Sequence, residues 1–311
     1  ELNRPVLKNL GVPLLQLDIR SATGVGTVPA ADFVIHAAAN PSVLAGVGGP
    51  ANSREVMEHN LLGTINLLEY CKEHHAGFVL LSSSRVYSMA ALRALPLEVV
   101  NRAFRPVANN NIPGVSGLGV REEFSTAPPL SLYGSAKLAS EQLALEYGAA
   151  FDFPVWINRC GVLAGAGQFG KADQGIFSFW IHSYRARRPL RYTSFGGEGY
   201  QVRDCLHPRD LVTVLRKQLE GGNGKRVCNF SGGAASAMSL RQLTDWCASR
   251  FGPHAIERGQ EERPFDIGWL VVDSSQAEKQ WDWRPQTSLE QILEEIAAHA
   301  EAHPEWLDLS R

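Results

Sequence analysis

The chain has no apolar run approaching the roughly 20 residues that a membrane helix needs, so no membrane span is expected in it. It lacks an excess of charge of either sign. A formal net charge of −2 over 311 residues gives neither nucleic acid nor an anionic membrane a cationic surface by composition. Its five cysteines (Cys71, Cys160, Cys205, Cys228 and Cys247) are scattered, odd in number and without any C-x-x-C spacing, which argues against a disulfide framework or a zinc site and for a reducing, cytoplasmic setting. Glu1–Gly11 carries no signal-peptide pattern. There is no internal repeat and no low-complexity tract. The histidines, among them His36, His59, His74, His75, His182 and His207, fall at no metal-ligand spacing, so no metal is expected.

What remains is a chain that can bury a large core. Hydrophobic residues make up 44% and charged residues 20%, a globular balance. Short apolar runs at Val12–Leu17, Asp32–His36, Phe78–Leu81 and Val155–Ile157 read as buried strands. Helical spacing of apolar residues runs through Ser53–Glu73 and Tyr133–Tyr147. Continuous apolar strands alternating with helices predict an α/β fold with a Rossmann-like, doubly wound parallel sheet. After about Ala164 the texture changes. Helices near Gln174–Arg185, Arg209–Leu219, Leu240–Arg250 and Leu289–Ala302 alternate with strand candidates at Leu190–Thr193, Gln201–Leu206, Arg226–Phe230 and Trp269–Val272. The expectation is a main domain over 1–163 and a smaller mixed α/β lobe over 164–311, some of whose segments return to the main sheet. Trp281 and Trp283 are expected to pack that carboxyl lobe. The long stretch Met89–Pro129, which includes Asn109-Asn110-Asn111, reads as irregular, and its length suggests a lid.

The strongest chemical signal is Tyr133-Gly134-Ser135-Ala136-Lys137. Tyr and Lys four apart share one helix face. A free phenol, with a pKa of about 10, is a poor base at neutral pH, and a nearby ammonium would draw that pKa down. Such a tyrosine suits removal of a hydroxyl proton while hydride leaves the same carbon. An exposed Tyr and Lys on an amphipathic helix give the same pattern. Its placement matters: upstream, a buried strand ends at Ser82-Ser83-Ser84, and ligands of open parallel sheets sit at the carboxyl ends of strands. Three serines also serve as ordinary turn and cap residues.

Phe33-Val34-Ile35-His36-Ala37-Ala38-Ala39, Asn60-Leu61-Leu62-Gly63-Thr64, Leu81-Ser82-Ser83-Ser84-Arg85-Val86-Tyr87 and Tyr133-Gly134-Ser135-Ala136-Lys137 resemble four successive motifs of the NAD-dependent sugar epimerase/dehydratase family, of the extended short-chain dehydrogenase/reductase type. Arg159-Cys160-Gly161-Val162 and Gln201-Val202-Arg203-Asp204 occupy the places of two more. With Gly167-Gln168-Phe169-Gly170-Lys171-Ala172-Asp173-Gln174-Gly175, the pattern most resembles the CDP-paratose (tyvelose) 2-epimerase branch.

The resemblance implies Ser83, Tyr133 and Lys137 as catalytic residues, with Lys137 also on the nicotinamide ribose. It implies Asp18 and Ile19 at the adenine of NAD, Ala37, Ala38 and Ala39 beside pyrophosphate and ribose, and Asn60 in support. On the substrate side it implies Ser84, Gln168, Arg203 and Arg263, the arginines gripping a diphosphate through paired hydrogen bonds. A surface ion pair is the plainer alternative for either arginine. The implied activity is epimerisation of a nucleotide-diphosphate sugar through a transient keto-sugar, at C2 of a CDP-linked sugar or, second, C4 of a UDP-linked one. A homodimer built through Ser53–Glu73 and Tyr133–Tyr147 is implied as well.

Three departures from the family pattern qualify this. No glycine-rich strand–turn–helix opens the sequence; neither Gly24-Val25-Gly26 nor Gly46-Val47-Gly48-Gly49 sits between a first strand and a cofactor-binding helix. About 30 residues, one βαβ unit, are therefore expected to be missing at the amino end. Ser84 and Arg85 stand where sugar dehydratases of the family carry an acid and a base, and neither can do that work near neutral pH, so dehydration is disfavoured. Val162 stands where many members place a substrate-touching Asn. The alternatives are a sugar-nucleotide reductase or dehydrogenase of the same family, and a non-catalytic nucleotide-binding relative.

Overall fold

The computed structural model describes residues 4–47, 52–108, 111–222 and 224–309. Gly48, Gly49, Asn109 and Asn110, from two of the stretches noted above, lie outside them. The core is a parallel sheet of four strands: β1 (Phe33–His36), β2 (Gly77–Ser83), β3 (Val155–Cys160) and, after a long excursion through a second sheet that contains β4 (Val202–Leu206), β5 (Val227–Phe230). The order is β1-β2-β3-β5, with Phe33 opposite Gly77, Phe78 opposite Val155 and Val227 opposite Ile157. Every residue of β3 is buried, as its unbroken apolar start requires of an interior parallel strand.

Strand side chains alternate between faces, so the sheet is covered twice. Phe78, Leu80, Val155 and Ile157 pack with Leu68 and Cys71 of α1 (Gly63–His74) and Ala144 of α2 (Leu132–Phe151). Val79, Trp156, Cys228 and Phe230 pack on the other face with Leu211, Val214, Trp281 and Trp283. The two C-terminal tryptophans thus lie on the main sheet and not in the carboxyl lobe. Trp281 meets Trp156 edge-on at 5.0 Å and Trp283 meets Phe230 at 5.1 Å. Two indoles two positions apart, far along the chain from the strands they cover, pack on neighbouring aromatic side chains of β3 and β5.

The smaller lobe packs α3 (Ile176–Arg185), α4 (Leu240–Phe251) and α5 (Leu289–Ala302) around Trp180, Tyr184, Leu243, Leu293 and Ile296. Reciprocal Ser–Gln capping boxes start α4 (Ser239, Gln242) and α5 (Ser288, Gln291). β4 pairs in parallel with Val162–Leu163 and Trp269–Leu270 and antiparallel with Ala237–Ser239.

Two expectations fail. Residues 12–17 form no strand; Leu14 and Leu15 are 50% and 60% exposed. An apolar run becomes a strand only with a hydrogen-bonded neighbour, and among the described residues none lies beside it; β1 likewise ends the sheet with its outer edge open and Ile35 exposed. The stretch 89–129 is not irregular. It holds a short helix, Met89–Arg93, and two hairpins, and its Met89, Leu92, Val120 and Phe124 form one buried cluster with Tyr87, Val202 and Val272.

Candidate active site

α2 begins at the carboxyl end of β2. Ser131 caps it, its hydroxyl accepting from the Gly134 N–H at 3.0 Å. That cap puts Tyr133 in the first turn and Lys137 one turn later, both buried. The turn Ser84–Val86, where β2 stops, is seated directly on this helix end: a Cβ at Gly134 would lie 2.4 Å from the Arg85 carbonyl oxygen. The close approach explains the glycine next to the tyrosine. It brings the Ser83 side chain close enough to Tyr133 to favour the phenolate. Lys137 Nζ donates to the Leu81 carbonyl at 3.1 Å, tying the lysine to the same strand end.

The electrostatics differ from the sequence expectation. Burial pushes the Tyr133 phenol above its ordinary range, while Ser83 and the Arg85 charge pull it down less strongly. Burial also pushes the Lys137 ammonium down to about 8, with Cys160 and Glu141 opposing. Desolvation penalises both charged forms at once.

On the side toward β1, Asn60 is fully buried on a π-helical turn, Glu58–Leu62. Its Oδ1 accepts from the Asn40 N–H at 2.7 Å and its Nδ2 donates to the Asn40 carbonyl at 3.1 Å, clamping the loop that follows Ala37, Ala38 and Ala39. Those alanines lie just beyond the carboxyl end of β1, Ala37 and Ala38 exposed. His36 and Thr64 share a hydrogen bond of 3.0 Å, and Ser140 of α2 donates to the Asn60 carbonyl at 3.2 Å, so the clamp is braced from both helices. Ile19 packs on α1, where a Cβ at Gly63 would stand 2.6 Å from its Cδ1. The Asp18 carboxylate is gripped by the Arg20 guanidinium at 2.6 Å, which holds its pKa down at about 2.

On the side toward β4, Arg203 Nη2 donates to Asp266 Oδ1 at 3.3 Å and Nη1 to the Val202 carbonyl at 2.7 Å. Arg263 Nη2 donates to the Asp173 carbonyl at 3.0 Å. Asp173 in turn accepts from the Ser42 hydroxyl at 2.6 Å, joining the loop after β1 to the 167–175 loop. Arg203 and Arg263 both act on Arg85, Arg263 also acts on Arg203, and Asp266 offsets them at both. Ser84 is buried in its turn. Gln168 stands apart from these guanidiniums in its contacts: its Nε2 donates to the Leu163 carbonyl at 2.6 Å and its buried Oε1 has no partner. The sequence reading missed Asp266 and Asp173, whose only signal was proximity to Arg263 and to the glycines of the loop.

A buried Arg159–Glu141 pair at 2.7 Å supports the centre from beneath, with Arg159 over the Tyr87 ring at 5.3 Å. All five cysteines are buried free thiols. Among the described residues no His/Cys/Asp/Glu group is arranged to hold a metal, and no helix is long and apolar enough to cross a membrane.

Residues 3–229 match the NAD dependent epimerase/dehydratase family. The chain belongs to that family. Similar family members include the UDP-glucuronate 4-epimerase of Thermodesulfobacterium geofontis, 25% identical over 89% of this chain and 76% of that protein. The CDP-paratose 2-epimerase of Salmonella typhi is 24% identical over 83% of this chain and 74% of its own length. Among solved structures, the UDP-glucose 4-epimerase of Thermotoga maritima with UDP-glucose superposes with a TM-score of 0.75 at 17% identity, covering 94% of this chain and 86% of that one.

The residues present fit one half of the family's cofactor. Tyr133, Lys137 and Ser83 offer donors at the carboxyl end of β2, and the small side chains of Ala37–Ala39 leave the backbone at the end of β1 open to close approach. A glycine-rich helix start for the pyrophosphate is not found beside β1 among the described residues.

Proposed function

We propose that this family member is an NAD-dependent epimerase of a nucleotide-diphosphate sugar. The observation that carries the reading is one constellation at the carboxyl end of β2: Ser83 beside the buried Tyr133, Lys137 a turn away and tied to the strand end, with the clamped Asn40 loop and half-buried arginines around them. NAD, when bound, supplies hydride exchange at a sugar carbon. Tyr133 takes the proton of the hydroxyl on that carbon and returns it. Ser83 holds the reacting oxygen against the tyrosine. Lys137 and the Asn60-braced loop orient the nicotinamide ribose, with Asp18, Ile19 and Ala37–Ala39 along the rest of the cofactor. Arg203 and Arg263 grip the diphosphate by charge-assisted hydrogen bonds, and Ser84 and the Gln168 loop border the sugar. Burial holds the Tyr133 phenol high, and a positively charged oxidised nicotinamide held beside Lys137 would favour its phenolate.

Relatives named for 4-epimerisation of UDP- and dTDP-linked sugars, and one for 2-epimerisation of a CDP-linked sugar, support this chemistry. The same reading carries a homodimer in the cytoplasm. The test is product analysis by NMR with UDP- and CDP-sugars and NAD. Interconversion of epimers without net cofactor turnover supports epimerisation; stoichiometric formation of NADH from NAD, or consumption of NAD(P)H when that is supplied with a keto-sugar, replaces it with a dehydrogenase or reductase. A Tyr133→Phe protein that keeps full turnover would sink both.

A further inference from the structure

The three guanidiniums around Asp266 are unequal in what they reach. Arg203 has Asp266 as its ion-pair partner, and Arg263 is tied to the Asp173 carbonyl. Arg85 makes no ion pair among the described residues, and its one side-chain hydrogen bond, to the Phe265 carbonyl, is long at 3.4 Å. It is half-buried all the same. A guanidinium withdrawn from water without a carboxylate is costly, and burial with the charges of Arg203 and Arg263 pushes its pKa down to about 9. Among the described residues Arg203 has an ion-pair partner in Asp266, and Arg85 has none.

The position of Arg85 is set by the backbone. Its N–H donates to Ser83 Oγ at 3.2 Å, and its carbonyl rests on the first turn of α2 at Gly134. It reaches in two directions. Its backbone lies against the turn that carries Tyr133, while its guanidinium reaches the carbonyl of Phe265, next to Asp266; of the three arginines it is the one that acts on Tyr133, and Arg203 and Arg263 act on it. Arg85 therefore stands between the tyrosine and the Arg203–Arg263 pair. In a nucleotide-diphosphate sugar, the part between the reacting hydroxyl and the diphosphate is the sugar ring. A neutral sugar gives a guanidinium only uncharged hydroxyl oxygens. A carboxylate gives it two acceptors at the spacing of its fork.

We propose that Arg85 is a substrate-recognition residue that pairs with a carboxylate on the sugar, so that the substrate class is an acidic, uronate-type nucleotide sugar. The proposal rests on the function proposed above. It assigns the two diphosphate contacts and the sugar carboxylate to different arginines, which makes it separable from that function.

The experiment is calorimetric titration, without turnover, of UDP, UDP-glucose and UDP-glucuronate, the two sugars differing only at C6. Wild-type protein should bind UDP-glucuronate roughly ten-fold or more tightly than UDP-glucose, the amount a charged hydrogen-bonded contact is worth. Arg85→Met should erase that preference while free UDP binds within about three-fold of wild type, and Arg85→Lys should recover part of it through charge without the fork. Equal affinity of the wild type for the two sugars overturns the proposal, and does so whether or not the variants fold. A loss in Arg85→Met that is as large for UDP as for UDP-glucuronate also overturns it and makes Arg85 a phosphate ligand. Failure of UDP, both sugars and, in the same titration, CDP to bind wild-type protein instead overturns the nucleotide-sugar reading beneath it.

Discussion

The two sides of Tyr133 are built by opposite means. Toward β1, small side chains and backbone do the positioning. Asn60 clamps Asn40, Ala37 and Ala38 lie in the open, and the apolar Leu14, Leu15 and Ile35 meet solvent. Toward β4, fixed charges do it, with Arg85, Arg203 and Arg263 held half-buried around Asp266. The difference teaches what each side can recognise. A surface of small residues and peptide groups admits close approach by a flat, extended ligand. A desolvated cluster of cations selects a compact anion and holds it strongly, because the local dielectric is low.

Four changes would break or sharpen that contrast. The largest effect is expected at the boundary itself. Tyr133→Phe should lower turnover by about 10²- to 10⁴-fold, the usual worth of a positioned acid–base group, with nucleotide-sugar affinity little changed in a direct titration. Next, Arg159→Met leaves the buried Glu141 carboxylate without its partner beneath both sides. It should cost about 3–5 kcal/mol in urea unfolding and erase the contrast by loosening both; a loss under 1 kcal/mol would mean that Ser82, which also donates to Glu141, suffices.

Acid should act on the two sides alike. His36, beside the clamp, is held down to about 4 from 6.5 by burial and then by Lys137; His182, in the smaller lobe, is held down to about 4 by burial and then by His299, His303 and Arg188. A depressed folded pKa means that the unfolded chain takes up the proton first. The stabilisation is thus complete above pH 6.5 and is lost as pH falls toward 4. At about 1.4 kcal/mol per unit, His36 accounts for about 3 kcal/mol of that loss. His36→Gln should flatten roughly half of the pH dependence of the urea midpoint between pH 7 and 4; an unchanged slope would remove His36 from the account. The smallest effect is expected from Asn60→Ala. Loss of its two hydrogen bonds to Asn40 should cost about 1–3 kcal/mol, seen as weaker NAD binding with UDP binding unchanged. Equal weakening of both would join the two sides into one.

Much of this organisation was legible in residue order. Unbroken apolar runs at Phe78–Leu81 and Val155–Ile157 became buried parallel strands, because such runs have no polar face to give to water. Helical spacing over Ser53–Glu73 and Tyr133–Tyr147 became α1 with its preceding turns and α2. Tyr133 and Lys137 lie on one helix by spacing alone. The run Val12–Leu17 shows where such reading stops: its apolar pattern is strand-like, yet pairing is a property of the neighbour and not of the run. Trp281 and Trp283 show it again, since a large aromatic says that it will be buried but not against what.

By itself, then, the sequence determined the sheet's interior strands, the helix that carries Tyr133 and Lys137, and the family to which their spacing belongs, all of them patterns local to a few residues. Only the tertiary structure decided that Arg85 and Phe265, 180 positions apart, would meet, that Asp266 would serve as counter-ion to Arg203, and that burial would outweigh the cations around Tyr133. Charge pairing and desolvation depend on which distant segments exclude water together, and no local spacing encodes that.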